Sequence, residues 1–299
     1  MEKFVLRVWC SGGSTPTANP LDLKDTNNRL ELRSEMMKIK TFVYFDLEST
    51  GLKSSGRPRI TEISLVAVNS GDVGELHMKI QRHLNNKNNQ IENLLPRVLN
   101  KLTLCVYPMA PVMPDASDIT GLDNYNLSDQ NRFDANTGHL LNNFLARLPS
   151  PVCLVAHNGN AYDFPLLKAE MEKVAIQVGS NILCADSYIG IKSIFQNRKF
   201  SEKVDVDQKK MKTVSKIRQD RKSSRKHDPI QKKLLPIQSF ALIKLHEHIL
   251  GCKPIMSHGA EADCLALLRT TSALGSDWLD WVEKNCKLFS DCEKMWGWD

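Results

Sequence analysis

Apolar and polar positions first form a regular pattern at Thr41. The run Thr41-Phe42-Val43-Tyr44-Phe45 is aromatic and β-branched and stops at Gly51, which predicts a strand. Ile60 to Val68 and Lys101 to Tyr107 repeat that signal, with a polar, asparagine-rich turn or loop at Asn85 to Asn93 between them. The period then changes. Leu140, Leu141, Phe144, Leu145 and Leu148 recur at helical spacing, and Pro149 and Pro151 end that helix ahead of the apolar strand Cys153-Leu154-Val155-Ala156. Phe164 to Val174 reads as a helix and Ile182 to Ala185 as a short strand. Phe240 to Leu250 is a helix closed by Gly251, and Ala260 to Ala273 is another.

Strands that cluster first and then alternate with helices predict an α/β fold, a mixed β-sheet flanked by α-helices in a single domain. No internal repeat is present. The first forty residues carry the turn formers Ser11, Gly12, Gly13, Ser14, Pro16 and Pro20 without a period. The expected organisation is therefore a loosely ordered extension over 1–40 and one domain over 41–299.

Composition narrows the class. With 299 residues, 41% hydrophobic and 25% charged, the chain can bury one good-sized core or two small ones. No stretch approaches the roughly 18 consecutive apolar residues of a membrane span, and Met1 to Lys40 lacks the apolar centre of a secretory signal. An intracellular protein is expected, nuclear or cytoplasmic. Glu2, Asp22, Asp25 and Glu31 offset the basic residues of a mitochondrial address without removing that option. The eight cysteines include no C-x-x-C pair, which argues against zinc. Several, such as Cys105 and Cys153, sit in strand-like apolar runs and are expected as reduced, buried thiols.

Charge is unevenly placed. Asn197 to Lys233 holds fourteen Lys or Arg against five Asp or Glu, a surplus of nine in a chain whose net charge is +6, so the remainder is net negative. This segment, within an insertion over about 197–236, lacks apolar periodicity and reads as a solvated loop. It is a linker, an import signal, or a loop that meets phosphates through residues such as Lys209, Lys210, Arg221 and Lys222.

Three distant segments carry the candidate chemistry. Asp46 and Glu48, two apart on a strand, leave the same face, where two carboxylates repel unless a cation lies between them. The plain alternative is two acids at a strand's end pointing to water. Asp163 follows Ala156-His157-Asn158-Gly159 at a strand-to-helix junction, where an acid also suits a helix N-terminus. Asp263 lies in the first turn of a predicted helix, and His258 stands in the loop before it.

Only the combination points to a reaction. Oxygen ligands suit Mg²⁺ or Mn²⁺, and two such ions about 3.5–4 Å apart stabilise the attacking and leaving oxygens of a phosphodiester. A histidine, with an ordinary pKa of about 6.5, can take a proton from the attacking water near neutral pH.

Phe45-Asp46-Leu47-Glu48-Ser49-Thr50-Gly51-Leu52, the run from Leu154 to Leu167 containing Tyr162-Asp163, and Ser257-His258-Gly259-Ala260-Glu261-Ala262-Asp263 resemble the three exonuclease motifs of the DEDDh superfamily. More closely, they are similar to the three-prime repair exonucleases of animals. Ser117-Asp118-Ile119-Thr120-Gly121-Leu122 and Trp281-Val282-Glu283 extend the likeness from about Thr41 to the C-terminus.

The resemblance implies a ribonuclease-H-like mixed sheet and removal of nucleoside 5′-monophosphates from single-stranded or frayed 3′ ends of DNA. It also implies two Mg²⁺ (or Mn²⁺) held by Asp46, Glu48, Asp163 and Asp263, with His258 as general base. Leu52 and Ile119 would pack on the terminal bases, the backbone around Glu48 and Ser49 would meet the 3′-hydroxyl, and Tyr162 the scissile phosphate. Read without the family, Leu52 and Ile119 fit equally as core residues beside a turn.

A homodimer joined through the Lys101 to Tyr107 edge is implied as well, with no membrane partner and no small-molecule cofactor. Ala161 departs from the family's arginine at that place, and the basic insertion is longer than the family's loop. Two other readings stay open: a 3′→5′ exonuclease directed at RNA, and a catalytically silent nucleic-acid-binding protein.

Overall fold

The central run Val152–Ala156 is apolar on both faces and has to be covered on both sides, and the sheet is built that way. The computed structural model describes residues 38–86, 90–198, 237, 239–255 and 258–296. Among them six strands form one mixed sheet: β1 (Thr41–Ser49), β2 (Ile60–Asn69), β3 (Asn100–Cys105), β4 (Val152–Ala156), β5 (Leu183–Asp186) and β6 (Lys287–Leu288). Their order across the sheet is β3-β2-β1-β4-β5-β6. β1, β4 and β5 run parallel, while β2, β3 and β6 pair antiparallel with their neighbours.

Helices cover both faces. They are α1 (Ser70–Asn85), α2 (Pro114–Thr120), α3 (Ala135–Ala146), α4 (Asp163–Lys173), α5 (187–198), α6 (Leu242–Leu250), α7 (Ala260–Ala273) and α8 (Ser276–Asn285). Phe42 and Tyr44 of β1 belong to the core formed with α1, α5, α6, α7 and α8, and Val43, Phe45 and Leu47 to the core formed with α3 and α4. That split follows from the two-residue period of a strand.

Most predicted elements recur with ends shifted by one or two residues. α1 was not expected, although its buried residues Val73, Leu76 and Ile80 carry helical spacing. α8 was missed in the same way, with Trp278 and Val282 four apart and buried. Cys105 is a correction: it is exposed rather than buried, because β3 is the edge strand and Cys105 ends it. The seven described cysteines are free thiols.

Among the described residues no helix is long and apolar enough to cross a membrane. Most of the expected N-terminal extension, the residues Lys209, Lys210, Arg221 and Lys222 of the basic segment, and Ser257 lie outside the described residues.

Candidate active site

The site arises because β1 outruns β4. The two strands pair from Thr41 with Val152 to Tyr44 with Val155, so beyond Tyr44 strand β1 keeps only β2 beside it. Asp46 and Glu48 stand on this overhang, opposite Ser64 and Glu62 of β2. Their side chains continue the face of Phe42 and Tyr44. On that face lies α7, tied to the strand by a 3.0 Å hydrogen bond between the hydroxyls of Tyr44 and Thr271. The first turn of α7 therefore brings Asp263 to the two acids. One carboxylate oxygen each from Asp46, Glu48 and Asp263 lies within 4.8 Å of the others, and all three residues are half-buried.

Asp163 arrives from the other side. After β4 the chain turns through 157–162, and Gly159 is required there because a Cβ would lie 2.6 Å from that of Ala156 and 2.8 Å from the Phe164 ring. Asp163 opens α4 and is buried. The backbone N–H groups of Asp163 itself and of Leu47, on the stretch of β1 that β4 does not reach, draw its carboxyl down. Serving the start of a helix and belonging to an acidic site are thus compatible in one residue. The turn itself is held by buried Asp186 at the end of β5, which accepts the backbone N–H groups of Asn158 (3.1 Å), Asn160 (3.1 Å) and Tyr188 (2.9 Å).

The electrostatics are those of crowded acids. Burial, then the charges of Asp163, Asp263, Glu48 and Glu62, push the Asp46 carboxyl well above the usual range. Burial and the charges of Asp263, Glu62 and Asp163 raise Glu48 to about 8. Asp163 is raised, chiefly by burial, against the pull of its two backbone hydrogen bonds. Burial also raises Asp263, opposed by the backbone N–H of His258, which donates to its Oδ2 at 3.3 Å, and by the charge of His258.

The other oxygen of Asp263, Oδ1, is buried and has no hydrogen-bond partner among the described residues. Converging oxygens that hold their protons too tightly, one of them unpartnered, fit a hard divalent cation, which would relieve both conditions.

At the rim, the hydroxyls of Tyr162 and Ser49 are 2.6 Å apart and both face the Gly51 carbonyl. His258 is exposed, with φ +73°, a left-handed conformation uncommon for a residue with a side chain. Leu52 and Ile119 are 66% and 56% exposed, which overturns the reading of them as core residues. Leu52 follows the end of β1. Ile119 lies on α2, whose N-cap Met113 donates its N–H to Thr50 at 2.8 Å and so ties α2 to that strand end.

No protein-family model matches the chain. It is 33% identical to three-prime repair exonuclease 1 of Bos taurus over 261 residues, covering 86% of this chain and 71% of that protein. It is 30% identical to three prime repair exonuclease 2 of Homo sapiens over 265 residues, covering 88% and 95%.

The chain belongs to the three-prime repair exonuclease family.

Among solved structures, this exonuclease is similar in fold to E. coli exonuclease I in complex with a dA16 oligonucleotide, at TM-score 0.52 and 12% identity, covering 81% of this chain. A product-bound structure of exonuclease I gives TM-score 0.51 at 12% identity and 82% coverage. The chain spans less than half the length of these exonuclease I chains, 43% and 46%. The shared fold is the ribonuclease-H-like sheet flanked by helices. Two acids of this exonuclease escaped sequence reasoning, Glu62 and Asp186. Glu62 had a signal, a charge inside the apolar run Ile60 to Val68, and Asp186 ends a strand as Asp46 nearly does.

Proposed function

We propose that this protein is a divalent-cation-dependent 3′→5′ exonuclease that removes nucleoside 5′-monophosphates from single-stranded or frayed 3′ ends of DNA. The observation that carries the reading is the convergence of Asp46, Glu48 and Asp263 oxygens within 4.8 Å, with Asp163 beside Asp46 and His258 beside Asp263. The four carboxylates would hold two Mg²⁺ or Mn²⁺, and when bound there these ions supply positive charge to the phosphate oxygens and a more acidic water.

The chain's own residues do the rest. His258, exposed on its loop next to Asp263, takes the proton of the attacking water. Leu52 and Ile119 offer exposed apolar surface to the terminal bases, which grips a strand without reading its sequence. The Tyr162 hydroxyl, steadied by Ser49, orients the scissile phosphate, and the backbone at Glu48 and Ser49 meets the 3′-hydroxyl. Lys209, Lys210, Arg221 and Lys222 hold the trailing strand through its phosphates. The unpaired side of β3 joins a second copy of the chain into a homodimer.

The test uses 5′-labelled DNA and RNA oligomers, with Mg²⁺ or with a chelator, resolved by product length. A DNA ladder shortened from its 3′ end in Mg²⁺ only, and absent for Asp263→Asn, is expected. Faster shortening of RNA reassigns the substrate, and an Asp263→Asn protein as fast as wild type refutes the site. Light scattering that returns a single 33.8 kDa subunit refutes the homodimer.

A further inference from the structure

Glu62 stands beside the acidic site, where its charge helps to raise Asp46 and Glu48. It stands opposite Glu48 in the β1–β2 pairing, and its Oε2 accepts the backbone N–H of Ala260 at 2.8 Å. Ala260 is the first residue of α7, and the first N–H groups of a helix have no partner within it. The usual remedy is an N-cap side chain. Here the N-cap is Gly259, which has none. Glu62 supplies from a neighbouring strand an acceptor for the N–H of Ala260, where a side chain at Gly259 would take that of Glu261 or Ala262, and its negative charge suits the positive end of the helix.

The turn fixed in this way is the one that carries His258 and Asp263. The His258 N–H reaches Asp263 Oδ2 at 3.3 Å, and the Asp263 N–H reaches the Gly259 carbonyl at 3.0 Å. The next residue, Glu261, is held by Lys101 Nζ at 2.7 Å and Thr103 Oγ1 at 3.1 Å, both from β3. The start of α7 is thus gripped by β2 and β3, the two strands on the Asp46 and Glu48 side of the sheet.

We propose that Glu62 is a positioning residue of this exonuclease, a cap supplied from β2 that sets Asp263 and His258 against Asp46 and Glu48 without itself ligating the cation. The proposal rests on the metal-dependent reading above. It makes the oxygen acceptor of Glu62 essential and its charge secondary. It also makes a local cap, which would steady the same turn through the N–H of Glu261 or Ala262, a substitute for its hold on the helix start. Gly259 has an ordinary φ of −131°, and a Cβ there would meet nothing within 4 Å, so a serine fits without strain.

The experiment compares wild type, Glu62→Gln, Glu62→Leu and the double variant Glu62→Leu/Gly259→Ser. Mn²⁺ affinity is measured by calorimetry without nucleic acid, backbone exchange over 258–263 by mass spectrometry, and kcat and KM on single-stranded DNA. Glu62→Gln should stay near wild type in all three. Glu62→Leu should exchange faster in the first turn of α7, bind Mn²⁺ about tenfold more weakly and lose kcat with little change in KM. The double variant should recover exchange protection and Mn²⁺ affinity.

If Glu62→Leu does not fold, the glutamine and double variants carry the comparison. A glutamine variant as impaired in Mn²⁺ binding as the leucine variant, or a leucine variant unchanged in both exchange and affinity, overturns the proposal. A wild-type protein that binds Mn²⁺ but cuts no nucleic acid overturns the functional reading instead, and leaves the calorimetric and exchange comparisons decisive for Glu62.

Discussion

The hydroxyls of Tyr162 and Ser49, 113 positions apart in sequence, lie 2.6 Å from each other. The pair joins the end of β1 to Tyr162, the residue before Asp163, at the rim of the acids rather than among them. Tyr162→Phe removes only the oxygen and keeps the ring. It should cost about 1 kcal/mol in urea unfolding. Turnover on single-stranded DNA should fall about tenfold or more, with Mn²⁺ affinity unchanged. Unaltered turnover would leave the tyrosine with a structural role alone.

Asp186 should matter as much as the residues it supports. Its two oxygens accept three backbone N–H groups in and beside the turn that delivers Tyr162 and Asp163. Asp186→Ala leaves those donors unpaired in a buried place, which should cost about 2–3 kcal/mol or more and lower turnover with it. Asp186→Asn keeps one acceptor oxygen and should cost less. Equal losses for the two variants in urea unfolding would contradict this account.

Cation stabilisation should depend on pH with a definite sign. Glu48, raised to about 8 by burial and neighbouring acids, binds its proton more tightly folded than unfolded. That preference stabilises the cation-free fold fully below the ordinary carboxylate value, 4.5 for glutamate, and is lost as pH rises through about 8. A cation binds the ionised acids and opposes the loss. The gain in melting temperature on adding Mg²⁺ should therefore grow from about pH 5 to about pH 8 and then level off. Taking the difference between cation-bound and cation-free curves cancels distant groups such as His157, which burial lowers. Glu48→Gln should flatten the curve, and a gain that shrinks with rising pH would refute the site's electrostatics.

The basic segment should act through phosphates. Replacing Lys209, Lys210, Arg221 and Lys222 together by alanine should weaken binding to single-stranded DNA at low salt. The slope of log K against log salt should fall by up to about 3, since each phosphate contact on a single strand contributes roughly 0.7. An unchanged slope reduces the segment to a linker or an import signal.

Strands β1, β2 and β4 and helices α3, α4 and α7 were legible because each shows one clear period or one clear stop, such as Gly51 after β1 or Pro149 after α3. Helix α1 follows β2 without a loop and holds Gly71 and Gly74 in its first two turns, which weaken the helical signal, so its Val73, Leu76 and Ile80 spacing was passed over. Glu62 and Asp186 stayed hidden for a different reason. Their partners, Ala260 at 198 positions' distance and the backbone of 158–160, are set by packing and leave no local spacing to read.

By itself the sequence determined which residues could do chemistry: Asp46 and Glu48 share a face because a strand repeats every two residues, and His258 and Asp263 share a helix start. Only the tertiary structure decided that the carboxylates of Asp46, Glu48 and Asp263 meet. The overhang of β1 past β4, the packing of α7 on the even-numbered face and the capping of α7 by Glu62 are properties of the assembled sheet. Burial by that assembly turns separate acids into a single mutually repelling group suited to a cation, because the repulsion between carboxylates depends on their separation in space and on the water excluded between them.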